Sequence, residues 1–263
     1  MGKTSSTSRL NLPGRYAWAA AESIGPFNLT YILCTLPSKL KPSLHSSSSI
    51  FGTGLPVQSE ILGCLYLLHY LNRAVVSPLF LAPSMSPIHP IVSALMSIFQ
   101  FVNSSNIACW LTYTVASADF RQQPLISFGS VVGIALFLGG LVGNIKAETK
   151  LFELRKGAAK RKARSEGKAE VTYDKVYVIP PVEGMFRTIL FPHYVLEWLE
   201  WIGFWILGGS WGLGYGYSSP ALWFVLVEIA TMLPRAGSGR QWYEQKFGKR
   251  AVAGRAGAIP GLL

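Results

Sequence analysis

Seven ionisable side chains fall inside apolar stretches of this chain: Glu22, Glu60, His69, Arg73, Glu197, Glu200 and Glu228. A charge near the centre of a bilayer costs at least about 2.5–3.5 kcal/mol. Such residues therefore sit at headgroup level, face a cavity or pair with one another. In Leu68-His-Tyr-Leu-Asn-Arg73 a phenol, an imidazole and a guanidinium crowd about one helical turn, a set that can donate protons or hold an anion. Glu197 and Glu200 are spaced i, i+3 and share a helix face. A carboxylate pair of this kind serves as a proton relay or as a helix cap, and spacing alone leaves both open. Headgroup level is the simpler reading for Glu60 and Glu228, and a membrane tyrosine is most often an interfacial anchor. Cys34, Cys64 and Cys109 lie in apolar runs with neither disulfide nor metal spacing. They read as small buried hydrophobes, and no metal site is expected.

The elements that must position these groups follow from composition. The chain has 263 residues, 50% hydrophobic and 14% charged, where a soluble domain carries about 25% charged residues. That excludes a soluble globular enzyme, and 33 aromatic residues exclude a disordered chain. The net charge of +11 is concentrated: residues 146–175 hold ten Lys/Arg against five Asp/Glu, and residues 235–263 hold six against one. Basic loops on one side are the mark of a membrane protein, usually on its cytoplasmic side. Nucleic-acid binding is the competing explanation of a basic chain, but no basic-aromatic recognition motif appears, and no nucleic-acid partner is expected.

Residues 1–15 are polar and carry no signal peptide. Apolar segments follow at about 16–36, 55–81, 91–116, 125–145, 192–213 and 220–233. The fourth is the cleanest: 21 residues without a charge, enough to span a bilayer alone. The charged stretch 146–175 reads as a solvated loop or frayed helix. The sixth segment is short and must tilt little or borrow length from its flanks. Together they predict an all-α, polytopic transmembrane bundle of about six helices, a single domain over 16–263 with its C-terminal half from about 144 onward.

Four blocks give the whole a resemblance. Leu12-Pro-Gly-Arg-Tyr-Ala-Trp-Ala-Ala-Ala-Glu22 and Leu68-His-Tyr-Leu-Asn-Arg73 are the first two. Asn144-Ile-Lys-Ala-Glu148, with Leu154-Arg-Lys156, leads through a basic insertion to Tyr177-Val-Ile-Pro180 and Phe191-Pro-His-Tyr-Val-Leu-Glu197. Arg235, Gln241-Trp-Tyr-Glu-Gln-Lys-Phe247 and Arg255-Ala-Gly-Ala-Ile-Pro260 close the series. In this order and spacing they resemble the steroid 5-alpha-reductase family of membrane oxidoreductases. The sequence departs from the family at Ala21, where the family carries glutamine, and at Ser238-Gly239-Arg240, in place of a His-rich turn. The family usually has seven membrane helices. Met1 falls where the link after the first would lie, so the chain is expected to lack that helix or to come from a shortened gene model.

The resemblance implies an NADPH-dependent enzyme that reduces a C=C bond conjugated to a carbonyl in a steroid or other lipid, in the endoplasmic reticulum membrane. It implies Glu22 and Tyr70 as the pair that polarises the carbonyl, with His69 orienting Tyr70. Glu22 can donate only when protonated, the form an apolar site favours. It implies Asn144, Glu148, Arg155, Tyr177, His193, Glu197, Arg235, Tyr243 and Arg255 as the cofactor-binding set. No Gly-x-Gly-x-x-Gly follows a strand, so no Rossmann site is expected. Alternatives are a polyprenol or very-long-chain enoyl-CoA reductase of the same family, or a non-catalytic or transport membrane protein. Residues 157–170 enforce orientation, or contact anionic membrane lipids.

Overall fold

The computed structural model describes residues 8–40 and 49–261. Residues 1–7 of the expected polar segment 1–15 lie outside the described residues. Among them the chain is all-α, with two isolated backbone bridges, Leu12 to Ile88 and Ile189 to Ala256, and no strand. Six long helices form the bundle: α1 (Gly14–Leu40), α2 (Val57–Tyr70), α3 (Pro90–Ala116), α4 (Phe128–Ser165), α5 (Pro192–Gly208) and α6 (Pro220–Phe247). A short α7 (Lys249–Val252) follows. Four of the six, α3, α4, α6 and α2 with its extension to Leu81, are long and apolar enough to cross a membrane.

Three boundaries differ from the sequence expectation. Helix α1 runs unbroken through Glu22, Gly25 and Pro26. Helix α4 continues 20 residues past Ile145, to Ser165, because Ala, Lys, Arg and Glu are good helix formers and charge does not end a helix. Helix α6 passes through Pro234 to Phe247, so the short sixth segment does borrow length from its flank. The cysteines also differ. Cys34 and Cys64 are exposed and Cys109 is half-buried, since they lie on the outward helix faces, where an apolar side chain meets lipid rather than core.

Close packing sets the site. α4 and α5 cross with backbones nearly touching: a Cβ on Gly140 would stand 2.5 Å from the Glu200 nitrogen, and one on Gly133 2.8 Å from the Leu207 nitrogen. Small residues at such a seam let membrane helices approach, and here the seam brings Asn144 against the first turns of α5. α2 widens into a π-helix over Leu71–Leu81, immediately after Tyr70. Arg15 donates to the carbonyl of Ala82 at 2.8 Å, tying the start of α1 to the end of this stretch so that one face of α1 looks onto Arg73. A core of Tyr66, Tyr70, Phe137, Trp201 and Phe204 fills the bundle.

A second, smaller core lies at the other end of α6, where Leu190, Phe191, Trp198, Ala236, Tyr243 and Val252 pack together. The connector after α4 and the tail after α6 meet here. Arg155 donates to Tyr173, and Arg255 donates to Pro180. The ends of α4 and α6, which carry the two basic segments, are thereby joined at one end of the molecule.

Candidate active site

Helices α1, α2, α3, α4 and α5 converge on a buried polar cluster. His69 Nδ1 meets Glu200 Oε1 at 2.8 Å, and its Nε2 lies 3.9 Å from Glu197 Oε1. Arg73 donates to Glu197 Oε2 at 3.3 Å. Asn144 donates to the same carboxylate oxygen at 3.1 Å and to the His193 carbonyl at 3.0 Å. Glu200 is fully buried and Glu197 2% exposed. Charges this deep persist only when paired and hydrogen-bonded, and each of these side chains has at least one such partner, although Glu200 Oε2 has none among the described residues. The Arg73 guanidinium also lies 5.3 Å from the Trp18 ring centroid, a cation–π contact, and the indole of Trp18 donates to the Arg73 carbonyl.

Glu22 and Tyr70 lie beside this network. Glu22 is 5% exposed and accepts from Gln100 Nε2 at 2.6 Å. Tyr70 is 2% exposed, its ring 4.5 Å from Tyr66 and 4.9 Å from His69. Glu22 is within electrostatic reach of Tyr70, Tyr66, Arg73 and His69. The helix spacing is what aligns them: Trp18 and Glu22 are one turn apart on α1, and both face the turn that carries His69 and Arg73.

The remaining expected residues divide into two groups. Glu148 is half-buried and accepts from Ser77 of the π-helix at 3.2 Å. His193 is buried, with Nδ1 unpartnered among the described residues. Both border the cluster. Arg155 donates to the carbonyls of Ser84 and Tyr173 and keeps its Nε unpartnered. Tyr177 packs its ring 5.1 Å from Trp242, under Lys246. Tyr243 is buried and stacks on Phe191 at 5.8 Å. Arg235 is exposed on α6 yet within electrostatic reach of Glu22 and Tyr194.

Arg255 is different. It is 2% exposed and donates to the carbonyls of Pro180, Phe186, Ala251 and Val252. Burial lowers its pKa from the ordinary arginine value, but arginine stays cationic in proteins. With its donors engaged in this way, it holds the turn at 180–186 against the tail rather than offering a free fork to a ligand.

NADPH needs cations for its phosphates and donors for its nicotinamide amide. The unpartnered Arg155 Nε, the exposed Arg235 and the unpartnered His193 Nδ1 fit those needs. Among the described residues no group of His, Cys, Asp and Glu could hold a metal ion.

Two members of the cluster are not placed there by the sequence. Glu228, read as a headgroup-level residue, is half-buried and within electrostatic reach of Glu197, Arg73, Glu22 and His69. Gln100 contacts Glu22 from 78 residues away. Glu60 instead anchors a loop, accepting from Ser49, Thr53 and the Ile50 nitrogen.

Residues 84–263 match the family profile described as 3-oxo-5-alpha-steroid 4-dehydrogenase. An uncharacterized protein of Schizosaccharomyces pombe is 31% identical over 259 residues, 96% of this chain and 85% of its own length. Steroid 5-alpha-reductase DET2 of Arabidopsis thaliana is 28% identical over 228 residues, covering 83% of this chain and 77% of its own. 3-oxo-5-alpha-steroid 4-dehydrogenase 1 of Rattus norvegicus is 27% identical over 190 residues, covering 72% and 62%.

Proposed function

Because the chain belongs to the 3-oxo-5-alpha-steroid 4-dehydrogenase family, we propose that it reduces a C=C bond conjugated to a carbonyl in a steroid or other lipid, using NADPH, in the endoplasmic reticulum membrane. The family is one of membrane oxidoreductases. The observation that carries the finer reading is the proximity of buried Glu22 and Tyr70 to the ionic cluster of His69, Arg73, Glu197 and Glu200 inside the bundle.

NADPH, when bound, supplies the hydride to the β-carbon. Water supplies the proton that the α-carbon takes to complete the saturated ketone, and the remaining tasks fall to this chain. Negative charge builds on the carbonyl oxygen as the double bond is reduced, and Tyr70 with protonated Glu22 donates hydrogen bonds to it. Removing one such donor typically costs about 2.7–4 kcal/mol of transition-state stabilisation. His69, held by Glu200, packs against Tyr70 and fixes the phenol. Glu197 holds Arg73 and Asn144 in place, and Asn144, Glu148 and His193 line the nicotinamide end. Arg155 and Arg235 hold the phosphates, Tyr177 and Tyr243 shape the adenosine end, and Arg255 secures the turn behind them. Both basic segments face the cytosol, where NADPH is found.

The test is reduction of a steroid 4-en-3-one by purified protein in lipid nanodiscs, read as NADPH oxidation and as the saturated ketone by mass spectrometry. Matching amounts of the two products are expected. Absence of both NADPH binding and turnover would leave a non-catalytic membrane protein on this fold.

A further inference from the structure

Three polar atoms beside Glu22 have no partner among the described residues: Gln100 Oε1, Tyr66 Oη and Asn103 Nδ2. Their residues are 5%, 0% and 8% exposed. They surround one space. A Cβ built on Gly25 would stand 2.7 Å from Gln100 Oε1 and 3.0 Å from Tyr66 Oη, and Tyr66 Oη is close to the side chains of Asn103 and Tyr70. Gly25 sits one turn after Glu22 on α1, so its missing methyl keeps that space open.

Buried polar atoms in native proteins are almost always paired. Three orphans around one space therefore point to a ligand oxygen. The set comprises an acceptor, a donor and a hydroxyl that does either. A hydroxyl oxygen satisfies all three, giving its hydrogen to Gln100 and accepting from Asn103 and Tyr66. A carbonyl, an ether or a deprotonated anion has no hydrogen to give and would leave Gln100 Oε1 unpaired.

We propose that Gln100, Tyr66 and Asn103 form a subsite for one hydroxyl oxygen, brought by the substrate or by a resident water, next to the carbonyl-polarising pair. Its place beside the substrate's carbonyl rests on the reductase reading above. Gln100 links the two sites, its amide nitrogen on Glu22 and its oxygen on the subsite. One amide group separates them, so a hydroxyl within one or two carbons of the reacting carbonyl reaches both. Gln100 also places an amide against Glu22 from another helix, in a chain whose position 21 is a buried alanine.

Two probes and one map test the proposal. The probes are a steroid 4-en-3-one and its 2-hydroxy derivative, reduced by the full chain in nanodiscs. If the substrate supplies the hydroxyl, the hydroxylated probe has a KM lower by about tenfold or more. That ratio collapses towards one in Gln100→Leu and in Tyr66→Phe, the latter keeping the ring shape if the former fails to fold. If water supplies it, the ratio is near one, but a high-resolution cryo-EM map of the substrate-free chain shows ordered density among the three atoms, lost in Tyr66→Phe. Neither preference nor density overturns the subsite. If the wild type reduces neither probe, the reductase reading fails while the map still decides the subsite.

Discussion

Around His69 opposite charges meet inside the bundle, whereas at the ends of α4 and α6 many cations face outward. Glu197 alone takes up Arg73 and Asn144, and Glu200 takes up His69. At the other end Arg235 is exposed, and among the described residues no ion pair engages Lys160, Arg161 or Arg164. The contrast follows from the solvent. An unpaired charge among apolar helices is costly, so the inner cluster must be complete before any ligand arrives. A cation in water costs little to leave open and attracts anions from a distance. On the proposed reductase reading, the inner region holds groups rigidly at the reacting centre and the outer one captures a polyanionic cofactor. The two should respond differently to substitution.

The largest expected effect is on stability and belongs to the inner region. Glu197→Ala leaves Arg73 and Asn144 facing each other without a carboxylate. Removing one partner of a buried ion pair costs about 3–5 kcal/mol. The lower end applies, because the Arg73 side chain retains 23% exposure. Thermal unfolding of the purified protein in detergent should shift down sharply, and less in Glu197→Gln, which keeps the shape and an acceptor. An unchanged unfolding temperature in Glu197→Ala would mean that the inner cluster is not a pre-paired unit.

Next in size is a loss of turnover without loss of fold. Tyr70→Phe should lower kcat about a hundredfold or more, following the roughly 2.7–4 kcal/mol lost with one oxyanion donor, while NADPH binding by fluorescence is retained. Glu22→Gln should be milder than Glu22→Ala, since an amide still donates. Equal, small effects in all three variants would remove the carbonyl-polarising pair.

These inner residues were partly legible in the sequence. Glu22, His69, Tyr70 and Glu197 stand in short local patterns, and local patterns survive without knowledge of packing. Their partners do not. Glu200 reaches His69 across 131 residues and Gln100 reaches Glu22 across 78, and which face of α3 or α6 turns inward depends on neighbours the sequence does not reveal. Glu228 reads from the sequence as a headgroup-level residue, whereas the packing of α6 brings it within electrostatic reach of Glu197 and Arg73. The bundle itself was legible because apolar length alone predicts membrane helices. The extension of α4 is only half legible, because a run of charges reads equally as a solvated loop or a frayed helix.

At the outer region the effects move to the cofactor. Arg155→Ala and Arg235→Ala should each raise the apparent KM for NADPH about ten- to a hundredfold, as expected for a charge-assisted contact worth about 1.5–3 kcal/mol. The KM for the lipid should change little. Arg255→Ala should instead destabilise the tail, because its contacts are all to backbone carbonyls. An NADPH dependence unchanged in both Arg155 and Arg235 variants would make them orientation anchors only.

The smallest effect concerns the tip of α4, and it separates two uses of the same charges. Lys168 and Lys162 share the single carboxylate of Glu166, at 2.8 and 3.9 Å, whereas Lys160, Arg161 and Arg164 have no ion pair among the described residues. Lys146, directly after the apolar segment, marks the membrane boundary. Lys160 lies 14 residues further along the same continuous helix, about 21 Å away at 1.5 Å per residue. The Debye length in physiological salt is about 8 Å, so a tip standing off the membrane scarcely feels the headgroups, while it does contribute to the field around the cofactor's entrance. Replacing the three by glutamine should therefore slow NADPH association a few-fold at low ionic strength and leave it unchanged at high salt, with kcat unaffected. Stopped-flow fluorescence across a salt series measures this. If the rates are unaltered while the protein's dependence on anionic lipid in nanodiscs disappears, the helix leans onto the bilayer, and the outer cations serve the membrane rather than the cofactor.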